Sequence, residues 1–107
     1  MPVPEVMRFV EDIRHLCRRF GVAKLELFGS AATGNFDPAR SDVDFLVEFE
    51  GNENLFVRYF DLKEALEHLI GRPVDLVTKR ALNNSLFRQQ VESQRMVIYE
   101  SQNHQAA

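Results

Sequence analysis

Residues 42–50, DVDFLVEFE, alternate so regularly that they constrain the fold more than any other segment of the chain. Apolar side chains occupy every second position, and successive side chains of a strand point to opposite faces of a sheet. The segment therefore predicts a β-strand that lays one apolar face against a core. One face carries Val43, Phe45, Val47 and Phe49, and the other carries Asp42, Asp44, Leu46, Glu48 and Glu50.

Helical and strand periods alternate along the rest of the chain, which predicts an α/β (α+β) fold class. Apolar residues at three- and four-residue steps over residues 6–20 predict one amphipathic helix that ends at Gly21, and a second stripe over 55–69 is closed by Gly71. Further strands are predicted at 24–28 and 73–77, a turn at 51–54, a short helix near 82–93 and an apolar segment at 96–99.

Length and composition bound the class of protein. The chain has 107 residues, 45% of them hydrophobic and 27% charged, which suits one domain over 1–100 followed by a disordered tail at 101–107. No apolar run reaches the length of a membrane span and the N-terminus lacks a signal peptide, so we expect a cytoplasmic protein with no membrane partner. The net charge of −3 disfavours long nucleic acid as a partner, and Cys17, on the apolar helix face, is expected to be a buried thiol.

The two aspartates at the start of the strand are candidate metal ligands. Asp42 and Asp44 point the same way and lie about 6 to 7 Å apart along the strand, so they repel unless water or a cation separates them. Carboxylates combined with substrate phosphates are typical of Mg²⁺ sites. A solvated strand start is the alternative interpretation of this pair.

Two other stretches add to this hypothesis. Gly29 and Ser30 follow a strand, where a glycine lets a phosphate approach backbone N–H groups, although such a pair is also an ordinary turn. In RPVDLV, Asp75 lies between two apolar residues and therefore points away from the core. If this strand lies beside residues 42–50, Asp75 shares a face with Asp42 and Asp44.

The stretch LFGSAATGNFDPARSDVDFLVEF, followed by GRPVDLVTKRAL, resembles the minimal nucleotidyltransferases (MNT) of the DNA polymerase β superfamily over nearly the whole chain. The resemblance implies a small mixed β-sheet flanked by helices, with Gly29 and Ser30 binding nucleotide phosphates. It also implies that Asp42, Asp44 and Asp75 are catalytic and hold two Mg²⁺ ions. One position departs from the family pattern, because Thr33 stands where many members carry an arginine.

The same resemblance implies a reaction and a partner. Stand-alone members of similar size pair with helical HEPN proteins as toxin–antitoxin modules, in which the MNT antitoxin transfers AMP from ATP to a tyrosine of its partner. Two alternatives remain open: an antitoxin that neutralises its partner by binding alone, for which Thr33 is the best support, and a small-molecule nucleotidyltransferase. The sequence also leaves open a homo-oligomer.

Several aromatic, basic and histidine side chains outside these stretches have both a functional and a structural interpretation. The aromatic residues Phe56, Tyr59, Phe60 and Phe87 suit either a partner surface or core packing. Lys79 and Arg80 could contact a phosphate but are more typical of a solvated loop. The histidines have no metal-ligand spacing and are interpreted as ordinary surface or core residues: His15, His68 and His104.

Overall fold

The structure is a computed structural model that describes residues 4–28, 43–78 and 95–101. Within these ranges, no helix is both long enough and apolar enough to cross a membrane. The elements, in chain order, are α1 (Pro4–Met7), α2 (Val10–Arg19), β1 (Val22–Phe28), β2 (Val43–Phe49), α3 (Leu55–Ile70), β3 (Val74–Thr78) and β4 (Arg95–Glu100).

The four strands form one mixed sheet in the order β3-β2-β1-β4. The central strand β1 pairs antiparallel with both β2 and β4, whereas β2 pairs parallel with β3. A parallel pair needs a crossover connection, and α3 lies in the segment that joins β2 to β3. The mixed sheet with helices agrees with the predicted fold class.

The core lies between one face of the sheet and the two longer helices. The predicted inward face of β2 is buried, with Val43 and Phe45 at 0% exposure. It packs against Ile13 and Cys17 of α2 and against apolar side chains of α3. Both helices therefore cover the same face, and Asp44 lies on the other. Inward residues of the remaining elements complete this core: Leu25, Leu27, Leu62, Leu66, Val74, Leu76 and Ile98.

The prediction of one continuous N-terminal helix is wrong. A turn at residues 8–9 separates α1 from α2, and Phe9 has φ −103° and ψ 7°, outside the helical geometry. The apolar period continues through the break because Val6 and Ile13 are both buried on the same side. The sequence pattern therefore could not reveal the interruption.

The predicted strand bounds also need small corrections. β1 begins at Val22, two residues earlier than predicted, because Val22 pairs with Phe49 and an irregularity in the ladder follows it. β3 (Val74–Thr78) lies one residue later than predicted, and β4 (Arg95–Glu100) is one residue longer than the predicted segment at each end. The end of α3 is confirmed, since Gly71 has φ 76°, a left-handed conformation that glycine adopts without steric cost.

One side chain joins the turns at the end of the sheet away from Asp44. The Arg58 guanidinium donates hydrogen bonds of 2.6 to 2.9 Å to four backbone carbonyls and stacks 4.9 Å from the Phe49 ring. Gly21 has φ 67°, and a Cβ there would lie 2.8 Å from Arg58 Nη2, so the close approach requires glycine. The four carbonyls belong to Phe20, Gly21, Glu50 and Glu53.

Two predicted segments cannot be compared with the fold. The short helix near 82–93 and the tail beyond residue 101 lie outside the described residues. Ser101 itself is described, and its N–H donates to the carbonyl of Ala23 at 2.8 Å. The ladder between β1 and β4 is thus extended by one hydrogen bond.

Candidate active site

Asp44 and Asp75 lie side by side on neighbouring strands. In the parallel ladder between β2 and β3, Asp44 is the partner of Asp75, and Val43 is the partner of Val74. Partner residues point to the same face, and paired strands lie about 4.8 Å apart. Because Val43 and Val74 are buried in the core, both carboxylates belong to the face opposite the helices.

The chain leaves β1 and enters β2 at this same edge. Phe28, the last residue of β1, pairs with Asp44. On the face of the carboxylates, Phe28 and Leu46 are each 6% exposed and pack with Val77. This apolar cluster lies on the same face of the sheet as the two aspartates, of which Asp75 is exposed and Asp44 is half-buried.

Three of the predicted site residues lie outside the described residues. They are Gly29 and Ser30, which follow Phe28 in the chain, and Asp42, which precedes Val43. Their roles in phosphate and metal binding stay predictions, as do those of Asp44 and Asp75. What the structure adds is the pairing of the two aspartates that it describes.

The donor set fits a hard divalent cation. Two carboxylates in register offer oxygen ligands, and Asp75 is exposed, so a cation can reach it with part of its hydration shell. In the described ranges, no group of three or more His, Cys, Asp or Glu side chains could hold a metal ion. A complete site therefore needs ligands from substrate phosphates, from water or from the rest of the chain.

A further carboxylate, Glu26, lies on this face of the sheet and was missed by sequence reasoning. Glu26 is partnered with Leu46 in the ladder and is 4% exposed. Its Oε1 lies 3.7 Å from the Nζ of Lys24, which is also 4.0 Å from Glu100 Oε2. The signal was present in KLELF, because alternation puts Lys24 and Glu26 on one face.

Other residues weighed in the sequence separate into three groups. His15 contacts Arg18 at 3.5 Å, and His68 is exposed in the last turn of α3, so of the two predicted alternatives, surface or core, both are surface residues. Tyr59 packs against the core, whereas Phe56 and Phe60 are 75% and 49% exposed. The remaining positions lie outside the described residues: Thr33, Lys79, Arg80, Phe87 and His104.

Cys17 is confirmed as a buried thiol. Its side chain is 0% exposed in the core, and burial raises the pKa of the thiol from 9.0 to about 12, an effect that nearby Arg18 partly opposes. A thiol that stays protonated at neutral pH is a poor nucleophile and a poor metal ligand. Cys17 therefore belongs to the core and not to the site.

Comparison with known proteins agrees with this geometry. The nucleotidyltransferase domain model matches residues 11–99. Protein adenylyltransferase MntA of Thermococcus cleftensis is 41% identical over 73 residues, which cover 68% of this chain and 72% of the relative. A solved structure provisionally assigned as a minimal nucleotidyltransferase is 34% identical, with a TM-score of 0.75 over 90% of this chain and 95% of that chain.

A solved toxin–antitoxin structure with AMP-PNP extends the comparison. It is 25% identical, with a TM-score of 0.68 over 87% of this chain and 74% of that chain. The match to the domain model spans both Asp44 and Asp75, and the relatives include a protein adenylyltransferase. The chain therefore belongs to the nucleotidyltransferase domain family, among the minimal nucleotidyltransferases with protein adenylyltransferase and antitoxin relatives.

Proposed function

We propose that this protein is a Mg²⁺-dependent adenylyltransferase that transfers AMP from ATP to a tyrosine of a HEPN-family toxin and thereby acts as its antitoxin. The observation that carries the proposal is the pairing of Asp44 with Asp75 in a chain of this family. The adenylyltransferase relative and the toxin–antitoxin structure with an ATP analogue support the choice of nucleotide and partner class.

The carboxylates have distinct tasks in the proposed reaction. When bound, Mg²⁺ supplies positive charge for the triphosphate and lowers the pKa of the acceptor hydroxyl. Asp42, Asp44 and Asp75 would hold the cations, and Gly29 and Ser30 would bind phosphate through backbone N–H groups and a hydroxyl. Asp75, which is exposed, accepts the proton of the tyrosine. The tyrosine oxygen bonds to the α-phosphorus as the bond to pyrophosphate breaks, so the products are a tyrosyl–AMP ester and pyrophosphate.

An exposed apolar patch on α3 supports a protein partner. We define the aromatic patch as Phe56, Val57 and Phe60, which are 75%, 55% and 49% exposed, with the two phenylalanine ring centroids 4.7 Å apart. Exposed patches of this kind mark interaction sites more often than isolated apolar residues do. Three exposed acidic side chains lie near the patch in sequence, which favours a partner with an apolar centre and a basic rim: Glu53, Asp61 and Glu64.

The aromatic patch lies on α3, which covers one face of the sheet, whereas the two aspartates lie on the other face. The Phe60 ring centroid is 5.0 Å from that of Tyr59, whose hydroxyl reaches the carbonyl of Leu76 beside Asp75. A partner that docks on the patch must therefore reach around the β3 edge of the sheet to present its tyrosine. Binding and catalysis should then respond to different substitutions.

The experiment mixes the protein with a HEPN-family protein from the same organism, Mg²⁺ and ATP labelled at the α-phosphate. We expect the partner to gain one or more AMP units on a tyrosine, read by intact mass and peptide mapping. Asp75→Asn should abolish the transfer while the complex still forms, and Asp12→Asn, at an exposed aspartate of α2, should transfer normally.

Each other result has a defined meaning. A stable complex without any AMP transfer by the parent protein would establish an antitoxin that acts by contact alone. Transfer to small hydroxyl compounds but not to the partner would favour the small-molecule nucleotidyltransferase. Self-association of the chain with no binding of the partner would assign the aromatic patch to a second copy.

A further inference from the structure

β3 is an edge strand whose outer backbone groups have no neighbouring strand among the described residues. Val43 N–H donates to the carbonyl of Pro73 at 3.0 Å, so the backbone of Pro73 faces β2. Backbone groups of alternate residues in a strand point to opposite sides. The N–H and C=O groups of Asp75 therefore also face β2, while those of Val74 and Leu76 face outwards.

Two side chains of α3 bind these outward groups. The Glu67 carboxylate accepts a hydrogen bond from Val74 N–H at 2.9 Å, and the Tyr59 hydroxyl donates to Leu76 C=O at 2.6 Å. Val74 and Leu76 are the residues immediately before and after Asp75. α3 is thus hydrogen-bonded to β3 at the residue before Asp75 and at the residue after it.

We propose that Tyr59 and Glu67 are positioning residues that fix Asp75 beside Asp44 for binding a divalent cation. The inference rests on the proposed function, because it assigns Asp75 to the metal site. A shift of β3 by one residue would turn Asp75 towards the core and an apolar neighbour towards the cation. The two hydrogen bonds oppose such a shift, since each is specific to one backbone group.

The surroundings of the two side chains suit this role. Tyr59 packs against the apolar core, so its ring is fixed and its hydroxyl has a defined reach. Lys63 Nζ lies 3.9 Å from the same Glu67 oxygen that accepts Val74 N–H. A hydrogen bond from a backbone N–H to a carboxylate is stronger than one to a neutral acceptor.

The first test removes only the hydroxyl of Tyr59. Mn²⁺ binding in the presence of AMP-PNP is measured by electron paramagnetic resonance at 20 °C, where circular dichroism verifies that each variant is folded. We expect Tyr59→Phe to bind Mn²⁺ about tenfold more weakly than the parent, as for other residues that orient metal ligands. Tyr99→Phe makes the same chemical change on β4, at the other edge of the sheet, and should leave Mn²⁺ affinity unchanged.

The second test separates hydrogen bonding from charge at Glu67. Glu67→Ala removes the acceptor for Val74 N–H and should also weaken Mn²⁺ binding about tenfold. Glu67→Gln keeps an oxygen acceptor without the charge and should restore most of the affinity. Amide hydrogen exchange at residues 74–76 should be faster in Tyr59→Phe and Glu67→Ala than in the parent.

These measurements distinguish the positioning role of Tyr59 and Glu67 from the proposed function itself. If the parent binds Mn²⁺ and Tyr59→Phe binds it equally well, the positioning role is wrong while the proposed function stands. If Glu67→Gln is as impaired as Glu67→Ala, charge and not the hydrogen bond governs the site, which also contradicts the proposal. If the parent binds no Mn²⁺ with AMP-PNP, the metal site itself is wrong and the positioning role is rejected with it.

Discussion

Asp44 of β2 is the in-register parallel partner of Asp75 of β3, on the face of the sheet opposite α2 and α3. Like charges directly opposite each other on adjacent strands repel. We expect a divalent cation that binds both carboxylates to offset this repulsion. The pair should then lower stability without metal and raise it with metal.

Asp75→Asn should melt at or up to about 3 °C above the parent in the presence of a chelator, because repulsion from Asp44 is removed. With Mg²⁺ and AMP-PNP the order should reverse, since only the parent gains the free energy of ligand binding. Differential scanning calorimetry in both buffers measures the two shifts. Asp61→Asn, at an exposed position on α3, serves as the control and should follow the parent in both. A clear loss of stability for Asp75→Asn in chelator would instead indicate a structural hydrogen bond.

The double substitution Phe56→Ser and Phe60→Ser should weaken the complex with the partner protein at least tenfold, because exposed aromatic side chains commonly dominate binding free energy. Calorimetric titration measures the dissociation constant. Affinity for AMP-PNP should stay within twofold of the parent, since the aromatic patch lies on α3 and the two aspartates lie on the opposite face of the sheet. Val97→Ser removes another exposed apolar side chain, on β4, and should not affect the complex. Equal loss of binding in both variants would remove the aromatic patch from the interface.

Arg58→Lys should lower the free energy of unfolding by about 2 to 3 kcal/mol, because a lysine cannot donate to four carbonyls at once. Urea unfolding at pH 7 measures the change. Arg18→Lys alters an exposed arginine of α2 that lies 3.5 Å from His15 Nδ1, and it should stay within about 0.5 kcal/mol of the parent. If the two variants are equally stable, the hydrogen bonds of Arg58 contribute little net free energy.

Alkaline pH should destabilise the protein partly through Cys17. Burial raises the pKa of this thiol from 9.0 to about 12, so between these values the unfolded chain releases a proton that the folded chain keeps. The contribution is fully present below pH 9 and is lost as the pH rises towards 12, at up to about 1.4 kcal/mol per pH unit. Cys17→Ala should therefore lose stability less steeply between pH 8 and pH 10.5 in urea unfolding. Parallel pH profiles for the two proteins would show that the folded thiol ionises normally.

Sequence alone predicted much of what surrounds the two aspartates. The alternation in DVDFLVEFE and PVDLV placed Asp44 and Asp75 on the face away from the core, as the structure has them. The exact register was beyond reach, because a period of two is unchanged when one strand slides by two residues. The register of β3 against β2 depends on the connection through α3 and on tertiary packing, neither of which the alternation pattern contains.

The contacts made by polar ends of half-buried side chains were not predicted. Arg58 interrupts an apolar stretch of α3, and a charge at such a position is a signal of hydrogen bonding to buried carbonyls. The aromatic ring of Tyr59 suited either a partner surface or core packing, and in the structure it packs on the core while its hydroxyl reaches Leu76. Periodicity describes which face a residue takes, and it carries no information about a partner that is distant in sequence.

The parallel pairing of β2 with β3 also sets an order of events during synthesis. Antiparallel neighbours such as β1 and β2 can pair as soon as both have left the ribosome, whereas β3 reaches β2 only after α3 has formed and folded back. During the first part of synthesis, Asp44 therefore has no Asp75 beside it. The two carboxylates can come together only after α3 and β3 have been synthesised, so a divalent cation that binds both would favour the folded domain over the shorter nascent chains.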